Sequence, residues 1–209
     1  KRLDAAPIPG VTETLPTFCS LMVCYNPMEL GYDELCRALE AQLQDIAPDS
    51  DESKRVIEIP VCYGGAFGPD IETVAQHAGL SVSEVVSLHT GHDYLIDMLG
   101  FLPGFAYLGG LDKRLHTPRL ATPRTVIEAG SVGIGGAQTG IYPLASPGGW
   151  QLIGRTPLRP YDPTREEPIL YQAGDYLRFV PITEGEYHAI ERQLSEGTYR
   201  YRVETKEHR

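Results

Sequence analysis

The chain has 209 residues, of which 42% are hydrophobic and 22% charged, and its formal net charge is −10 at pH 7. This composition is that of a globular protein long enough for a substantial core, and it excludes a disordered chain. The acidic balance argues against nucleic-acid binding, and no apolar run approaches the roughly 18 residues that span a bilayer. Because the first residues lack the apolar stretch of a signal peptide, we expect a cytoplasmic protein.

The first ninety residues predict a small α/β domain. Residues 13–25 predict a strand because they contain a nearly continuous apolar run from Phe18 to Cys24, and residues 56–62 alternate as a second strand does. Between them, apolar residues at three- and four-residue spacings from Met28 to Ile46 predict one face of a helix. The acidic run at residues 49–52 predicts a solvated loop. We therefore place an α/β layer at residues 1–90, with its first elements expected to be truncated.

Two short helices are predicted at the end of this domain. Asp70 is the expected N-cap of a helix that ends at Ala78, before Gly79. Ser81 and Glu84 form a capping-box pattern, which begins a second helix. We interpret these tandem helices as a connector.

Residues 91–209 predict a mainly-β barrel followed by a charged tail. Short apolar runs lie between glycine and proline turns, at residues 105–108, 125–128, 141–144 and 150–153. A further turn and strand are predicted at residues 172–180, and a helix at residues 186–194. The stretch from 100 to 154 holds more than half of the chain's 22 glycines and more basic than acidic residues. Such a stretch is suited to an anionic or carbonyl ligand.

Two copies of Thr-Pro-Arg present arginines from stiff loops. Arg119 and Arg124 each follow a proline that fixes the backbone. A guanidinium held in this way binds a carboxylate or a phosphate through two parallel hydrogen bonds. The alternative is that both arginines pair with carboxylates such as Asp112 and Glu128. His116, just before the first copy, is a candidate for acid–base chemistry or ligand contact.

Residues 130–140 form a glycine-rich segment that matches neither a P-loop nor a dinucleotide-binding fingerprint. Gln138 and Thr139 offer an amide and a hydroxyl, which suit recognition of an amide or lactam. The alternative is tight barrel turns in which glycine supplies a positive φ. The glycines proposed as an anion-binding nest of backbone N–H groups are Gly133, Gly135 and Gly136.

Other reactive residue types lack the motifs of known sites. Ser131 and Ser146 are outside any G-x-S-x-G context. His89 and His92 are spaced H-x-x-H without a third ligand, so a role at a helix C-terminus is favoured over a metal site. The four cysteines lack metal and redox spacings and are interpreted as small buried hydrophobes. Trp150, the only tryptophan, is expected to be a core or interface anchor.

Several long motifs in a fixed order resemble one family. They are GFLPGF at 100–105, YLGG at 107–110, the two Thr-Pro-Arg copies, AGSVG at 129–133, QTGIYP at 138–143 and SPGGW at 146–150. This series resembles the family variously called the 5-oxoprolinase B subunits, allophanate hydrolase subunit 1 and the sporulation kinase inhibitor family. The resemblance runs from about residue 8 to about residue 183, and Ala106 stands where the family more often has proline.

The resemblance implies an α+β N-terminal domain followed by a mainly-β, cyclophilin-like barrel. It also implies two partners, which are the A and C subunits of 5-oxoprolinase, the latter a related barrel protein. With these partners, ATP and Mg²⁺ drive the opening of 5-oxoproline to glutamate, and the chain alone is expected to be inactive. The residues assigned to catalysis are Arg119, Arg124 and Gln138. Those assigned to the substrate are Thr139, Tyr142, His116, Gly104 and Phe105.

Two other functions remain open at this point. One is a regulatory protein that binds and inhibits a sporulation histidine kinase, which requires an exposed apolar patch. The other is a component of allophanate hydrolase or urea amidolyase. The absence of a serine or metal hydrolase motif counts against hydrolysis by this chain itself.

Overall fold

The computed structural model describes residues 2–17, 20–43 and 54–206. The chain divides into two compact units, Lys1–Glu52 and Ser53–Glu207. The first unit contains α1 (Arg2–Ala5), β1 (Val11–Pro16), β2 (Leu21–Tyr25) and α2 (Tyr32–Leu43).

The N-terminal unit is a small α/β layer. The run predicted as one strand at residues 13–25 folds as an antiparallel hairpin, in which Pro16 of β1 lies opposite Leu21 of β2. Ile8, Leu30 and Leu35 form its buried core. The centre of the predicted run at residues 18–19, the last predicted helical position at Ile46 and the acidic run at 49–52 lie outside the described residues.

The second unit holds the remaining elements of the chain. They are β3 (Lys54–Tyr63), α3 (Ile71–Ala78), α4 (Val82–Thr90), β4 (Tyr94–Leu99), β5 (Ala106–Leu108), β6 (Arg124–Ile127), β7 (Ser131–Gly135), β8 (Gln138–Ile141), β9 (Ser146–Gly148), β10 (Gln151–Arg155), β11 (Tyr176–Ile182), α5 (Glu184–Ser195) and β12 (Val203–Lys206).

Seven of these strands close into a barrel, in the order β10-β7-β8-β5-β4-β11-β3, and the pairing of β3 with β10 completes the circle. β3 and β11 are parallel, whereas the other neighbours are antiparallel. β12 pairs with the start of β3, and β6 and β9 form a separate two-stranded ribbon. The predicted order of an α+β unit followed by a mainly-β barrel is confirmed.

The barrel unit begins earlier than the boundary predicted at residue 90. β3, predicted as part of the first domain, supplies Ile57, Ile59 and Val61 to the barrel interior, where all three are fully buried. Residue alternation reveals such a strand but not its partners, because the pairing is non-local. The helices interpreted as a connector also belong to this unit, since α3 contacts β10 and α4 contacts β11.

The helix ends follow the sequence signals closely. Ser81 Oγ accepts from the Glu84 N–H and the Glu84 carboxylate accepts from the Ser81 N–H, so the predicted capping box is present. Gly79 ends α3 in the left-handed conformation, at φ 66°. Thr183 begins α5 with a second capping box. Asp70 holds the N-cap position of α3, but its side chain makes no cap hydrogen bond.

Candidate functional site

Strand glycines create a side-chain-free surface on the outside of the barrel. A Cβ at Gly135 would lie 2.4 Å from Cδ1 and Nε1 of Trp150, and a Cβ at Gly140 would lie 3.3 Å from Cζ3 of the same indole. Gly140 pairs with Gly133 across the β7–β8 hairpin. Because these positions carry no side chain, the indole packs directly against the backbone of the barrel.

Trp150 belongs to an aromatic layer that covers this surface. The rings of Phe105 and Tyr142 stand edge-on to it, at centroid distances of 5.7 and 6.0 Å, and are 5.8 Å from each other. All three side chains are at least nine-tenths buried. Edge-to-face rings at such spacings are favourable and hold one another in place, so the layer forms a firm wall.

A cleft of about 150 Å³ opens beside this layer. Clefts for drug-sized ligands enclose roughly 300–1,000 Å³, so this one suits a single small ring. Its lining combines aromatic rings, a Pro-Gly-Gly turn and one charged side chain. The lining residues are Phe101, Phe105, Tyr107, Arg119, Tyr142, Pro147, Gly148, Gly149 and Trp150.

Arg119 projects from a loop whose backbone is fastened on both sides. The Pro118 carbonyl accepts from Gln151 Nε2 at 3.0 Å, and the Leu120 N–H donates to the Gly149 carbonyl at 2.7 Å. The Arg119 side chain itself is exposed. The stiff presentation predicted for this arginine is therefore seen in the structure.

The guanidinium of Arg119 lies over the aromatic layer, with its central carbon 5.9 Å from the Trp150 ring centroid. Among the ion pairs of the described residues, none involves Arg119. A guanidinium in this position keeps its N–H groups available for a planar anion. Arg119 thus places beside the cleft a positive charge without an ion-pair partner in the described part of the chain.

Arg124, in the second Thr-Pro-Arg copy, has a different environment. Its Nη2 lies 2.7 Å from Asp70 Oδ1, and its Nη1 donates to the Trp150 carbonyl at 3.4 Å. The other Asp70 oxygen accepts from the Leu152 N–H at 2.6 Å. The alternative interpretation, a structural ion pair, describes Arg124. The pair ties the start of β6 to the start of α3, and the charge of Arg124 is compensated.

The structure does not gather around one cleft the four residues that the sequence assigns to catalysis and to an amide ligand, which are Arg119, Arg124, Gln138 and Thr139. Only Arg119 lines the cleft. Thr139 is fully buried, and because side chains alternate along a strand, Gln138 lies on the opposite, outer face of β8. Gln138 is half-buried there but does not line the cleft. Tyr142 and Phe105 do line it, as the sequence predicts for substrate contacts.

The predicted anion nest is also absent from its expected place. Gly133 and Gly135 are residues of β7, opposite Gly140 and Gln138, and not part of an exposed loop. Gly136 has a left-handed φ of 66°, and its N–H donates to the Thr117 carbonyl. The turn interpretation therefore fits Gly136, and close approach of the indole explains Gly135.

Gly104 and His116, predicted to contact substrate, do not line the cleft. Gly104 is a turn residue with a left-handed φ of 77°, and its carbonyl accepts from the Tyr171 hydroxyl at 2.8 Å. Its role is to position Phe105, the next residue. His116 is half-buried, with Nε2 3.3 Å from the Leu111 carbonyl.

His89 lies in the barrel core and not at a solvated helix end. Its Nδ1 is 2.7 Å from the Tyr63 hydroxyl and its Nε2 is 2.8 Å from Thr139 Oγ1. Because the Thr139 hydroxyl donates to the Gly133 carbonyl, Nε2 must be the donor to Thr139, and Nδ1 accepts from Tyr63. Burial lowers the pKa of His89 to about 3, so the ring is neutral. His89 does lie in the last turn of α4, as predicted, but its neutral ring makes no charge interaction with the helix dipole.

The hydroxyl of Tyr142 remains protonated at neutral pH. Burial raises its pKa, partly opposed by a backbone hydrogen bond from Trp150 and by the positive charges of Arg119 and Arg124. A protonated phenol in the wall of the cleft is a hydrogen-bond donor for a carbonyl or an anion.

Sequence reasoning missed Phe101, Tyr107 and the turn at residues 147–149 as parts of the site. Phe101 has a left-handed φ of 70°, is 68% exposed and stands edge-on to Phe105 at 5.6 Å. The motif spacing contained the signal, since GFLPGF and SPGGW supply most of the lining. Strained backbone of this kind in a bulky residue is often found at ligand sites.

A larger cleft of about 700 Å³ lies between one side of the barrel and α5. Its lining mixes Arg159 and Arg165 with the carboxylates of Asp162 and Glu191. Arg165 already donates to the Pro160 and Pro168 carbonyls and to a tyrosine hydroxyl. None of the predicted site residues lines it, so the smaller aromatic cleft is the better candidate.

Neither metal ligation nor membrane insertion finds support in the described residues. They contain no group of three or more His, Cys, Asp or Glu side chains placed to hold a metal ion. Within the same residues, no helix combines the length and the apolar character needed to cross a bilayer.

The chain and its fold correspond to a known class of domain. The family described as "Carboxyltransferase domain, subdomain C and D" matches residues 1–171. The Kluyveromyces lactis urea carboxylase structure shares the fold, with a TM-score of 0.77 at 22% identity over 98% of this chain and 21% of that chain.

Two relatives narrow the assignment within this class. The 5-oxoprolinase B subunit of Escherichia coli O157:H7 is 52% identical over 181 residues, which are 85% of this chain and 81% of the relative. The Bacillus subtilis (strain 168) protein of the same name is 46% identical over 201 residues, 91% of this chain and 84% of the relative. The chain belongs to the family of 5-oxoprolinase B subunits.

Proposed function

We propose that this chain acts as the B subunit of an ATP-dependent 5-oxoprolinase. The complete enzyme, which also contains the A and C subunits, converts 5-oxoproline, ATP and water to glutamate, ADP and phosphate. The observation that carries the proposal is the 46–52% identity to two relatives of that name along more than four-fifths of their length. A cleft sized for one small ring, on the face that carries the family motifs, agrees with it.

The described residues do not fit a nucleotide or its magnesium ion. The N–H of Gly136 is already bonded to Thr117, and Gly133 and Gly135 are paired within the barrel. The described carboxylates and histidines form no ion-binding cluster. We therefore derive no phosphoryl-transfer step from this chain, and propose that ATP and Mg²⁺ are held by other parts of the assembled enzyme.

The role of this chain in the assembled enzyme is to bind and orient the lactam. Phe105 and Trp150 supply apolar walls for the ring, and the Tyr142 hydroxyl donates a hydrogen bond to the ring carbonyl or to charge that develops on its oxygen. Preorganised donors of this kind favour the transition state because they need no reorientation. Trp150 is the firmest of these groups, because backbone lies directly beneath its ring.

We propose that the C subunit completes the site and that this chain alone is inactive. The residues lining the cleft include no carboxylate, histidine, serine or cysteine that could act as base or nucleophile. The buried phenol of the wall, Tyr142, keeps its proton because burial raises its pKa. The missing groups must then come from a partner.

The test is reconstitution of the enzyme from separately purified proteins. Mixing this chain with the A and C subunits is expected to give ADP release that depends on 5-oxoproline, and omission of any of the three is expected to abolish it. Tyr142→Phe is expected to lower the rate by about a hundredfold to a thousandfold, as loss of one preorganised oxyanion donor does. Arg114→Ala, which removes an exposed arginine paired with Asp112, is the control. A complete mixture without oxoproline-dependent ADP release contradicts the proposal.

A component of a urea-degrading enzyme is the second candidate. The fold shared with the urea carboxylase of K. lactis favours it, although at 22% identity the likeness extends to the fold alone. The same reconstitution with urea or allophanate in place of 5-oxoproline separates the two candidates. Turnover of either compound in preference to 5-oxoproline supports the second.

A further inference from the structure

The aromatic cleft carries positive charge in a protein of net charge −10. Arg119 is the only charged residue among those that line it in the described structure. Arg124, the second arginine of the repeated motif, is neutralised by Asp70 at 2.7 Å. The cleft therefore has a local preference for an anion, and that preference comes from one side chain.

The backbone of the loop that carries Arg119 is already fixed in the absence of a ligand. Hydrogen bonds fasten the backbone immediately before and after it, through the Pro118 carbonyl and the Leu120 N–H. The guanidinium lies over the Trp150 ring, within the range of a cation–π contact. Because the backbone of the loop is already fixed, binding does not have to order it.

The cleft beside Arg119 also limits the shape of the uncharged part of the ligand. Phe105 and Trp150 give the cleft flat apolar surfaces, and Tyr142 adds one hydrogen-bond donor. A volume of about 150 Å³ leaves room for one small ring. A cleft of this volume favours a ring with a small carboxylate over a larger phosphate ester, and the guanidinium can bind that carboxylate through two parallel N–H groups.

We propose that Arg119 is the specificity-determining residue of the cleft and binds the carboxylate of a small cyclic amide whose ring packs against Trp150. The choice of 5-oxoproline as the ligand rests on the proposed function. The carboxylate on the ring is then what the chain selects, and a lactam without it is a poor ligand. Arg119 binds the carboxylate non-covalently, so no covalent bond forms or breaks at this residue.

Trp150 provides a direct measurement in the isolated full chain. It is the only tryptophan of the chain and forms a wall of the cleft, so its fluorescence reports on occupancy. The titrants are 5-oxoproline and 2-pyrrolidinone, which has the same lactam ring without the carboxylate. The variants are Arg119→Ala, Arg119→Lys and, as a matched loss of one positive charge outside the cleft, Arg114→Ala.

We expect a saturable change with 5-oxoproline and at least tenfold weaker binding of 2-pyrrolidinone. Loss of a hydrogen bond to a charged group costs about 1.5–3 kcal/mol, so Arg119→Ala is expected to weaken 5-oxoproline binding by about tenfold to a hundredfold. The affinity of Arg119→Lys for 5-oxoproline is expected to lie between those of the parent and of Arg119→Ala. The affinity of Arg114→Ala is expected to stay within twofold of the parent. 2-pyrrolidinone is expected to bind parent and Arg119→Ala equally.

Three results would overturn the inference: no saturable response to 5-oxoproline, equal binding of the two lactams by the parent, or unchanged 5-oxoproline binding in Arg119→Ala. In the reconstituted enzyme, Arg119→Ala is expected to raise KM with little change in kcat. If the mixture is inactive but the fluorescence titration still shows tighter binding of the lactam that carries a carboxylate, the proposed function is refuted and the role of Arg119 is not. If the reconstituted mixture is active and Arg119→Ala leaves its KM unchanged, the role of Arg119 is refuted and the proposed function is not.

Discussion

Replacement of Gly135 by alanine tests whether the barrel surface is built to seat the indole. The added Cβ would lie 2.4 Å from two atoms of Trp150 and 2.7 Å from a third. Carbon atoms pack at about 3.5–4.0 Å, so the indole must move by more than about 1 Å. Its edge-on neighbours Phe105 and Tyr142 oppose that movement. Overpacking of this kind costs about 1–3 kcal/mol.

The free energy of unfolding measures this cost, and the emission of Trp150 measures the displacement. With about 2–4 °C per kcal/mol for a chain of this size, Tm is expected to fall by about 2–12 °C, and the emission maximum is expected to shift to the red. Gly185→Ala in α5, where an added Cβ meets nothing within 4 Å, is the control and should not destabilise the protein. A Gly135→Ala protein with parental stability and emission would refute the reasoning.

Other parts of the fold give three further predictions. Because the pKa of His89 is about 3 in the folded protein and 6.5 ordinarily, the unfolded chain binds the extra proton. Stability should therefore fall by about 1.4 kcal/mol per pH unit from pH 6 to 3, and urea titrations should show a shallower fall in His89→Gln. A double-mutant cycle on Asp70→Ala and Arg124→Ala should give a coupling of about 1–2 kcal/mol, and a value near zero would contradict the tie between α3 and β6. Ser81→Ala should cost about 1 kcal/mol in thermal unfolding, and an unchanged Tm would speak against its cap.

Local signals in the sequence predicted the helix ends well. The capping box at Ser81 and Glu84 and the stop at Gly79 depend on residues within one turn of each other. The helix predicted at residues 186–194 begins two residues earlier, at Glu184. Short strands were found with small errors in their bounds, as for β6 and β10. The strand predicted at residues 141–144 lies instead at Gln138–Ile141, because glycines that resemble turn residues are strand residues here.

Non-local features could not be predicted from such signals. The two Thr-Pro-Arg copies look equivalent, yet Asp70 engages only Arg124, and it lies 54 residues earlier in the chain. Thr139 seemed available to a ligand, but a buried histidine from α4 occupies its hydroxyl. The aromatic cleft was partly foreseen through Phe105, Tyr142 and the family motifs. Its dependence on glycine for contact with an indole becomes visible only in three dimensions.

The parallel pairing of β3 with β11 has a consequence for how the protein is made. Tyr176 pairs with Val56, 120 residues before it. At about 5–20 residues per second, synthesis leaves the earlier segment without its neighbour for about 6–24 s. During that interval its apolar positions and open backbone groups can associate with other nascent chains. Arg55 and Glu58 interrupt the apolar run at the strand's start, and charges of that kind discourage such association until the ring of strands can close.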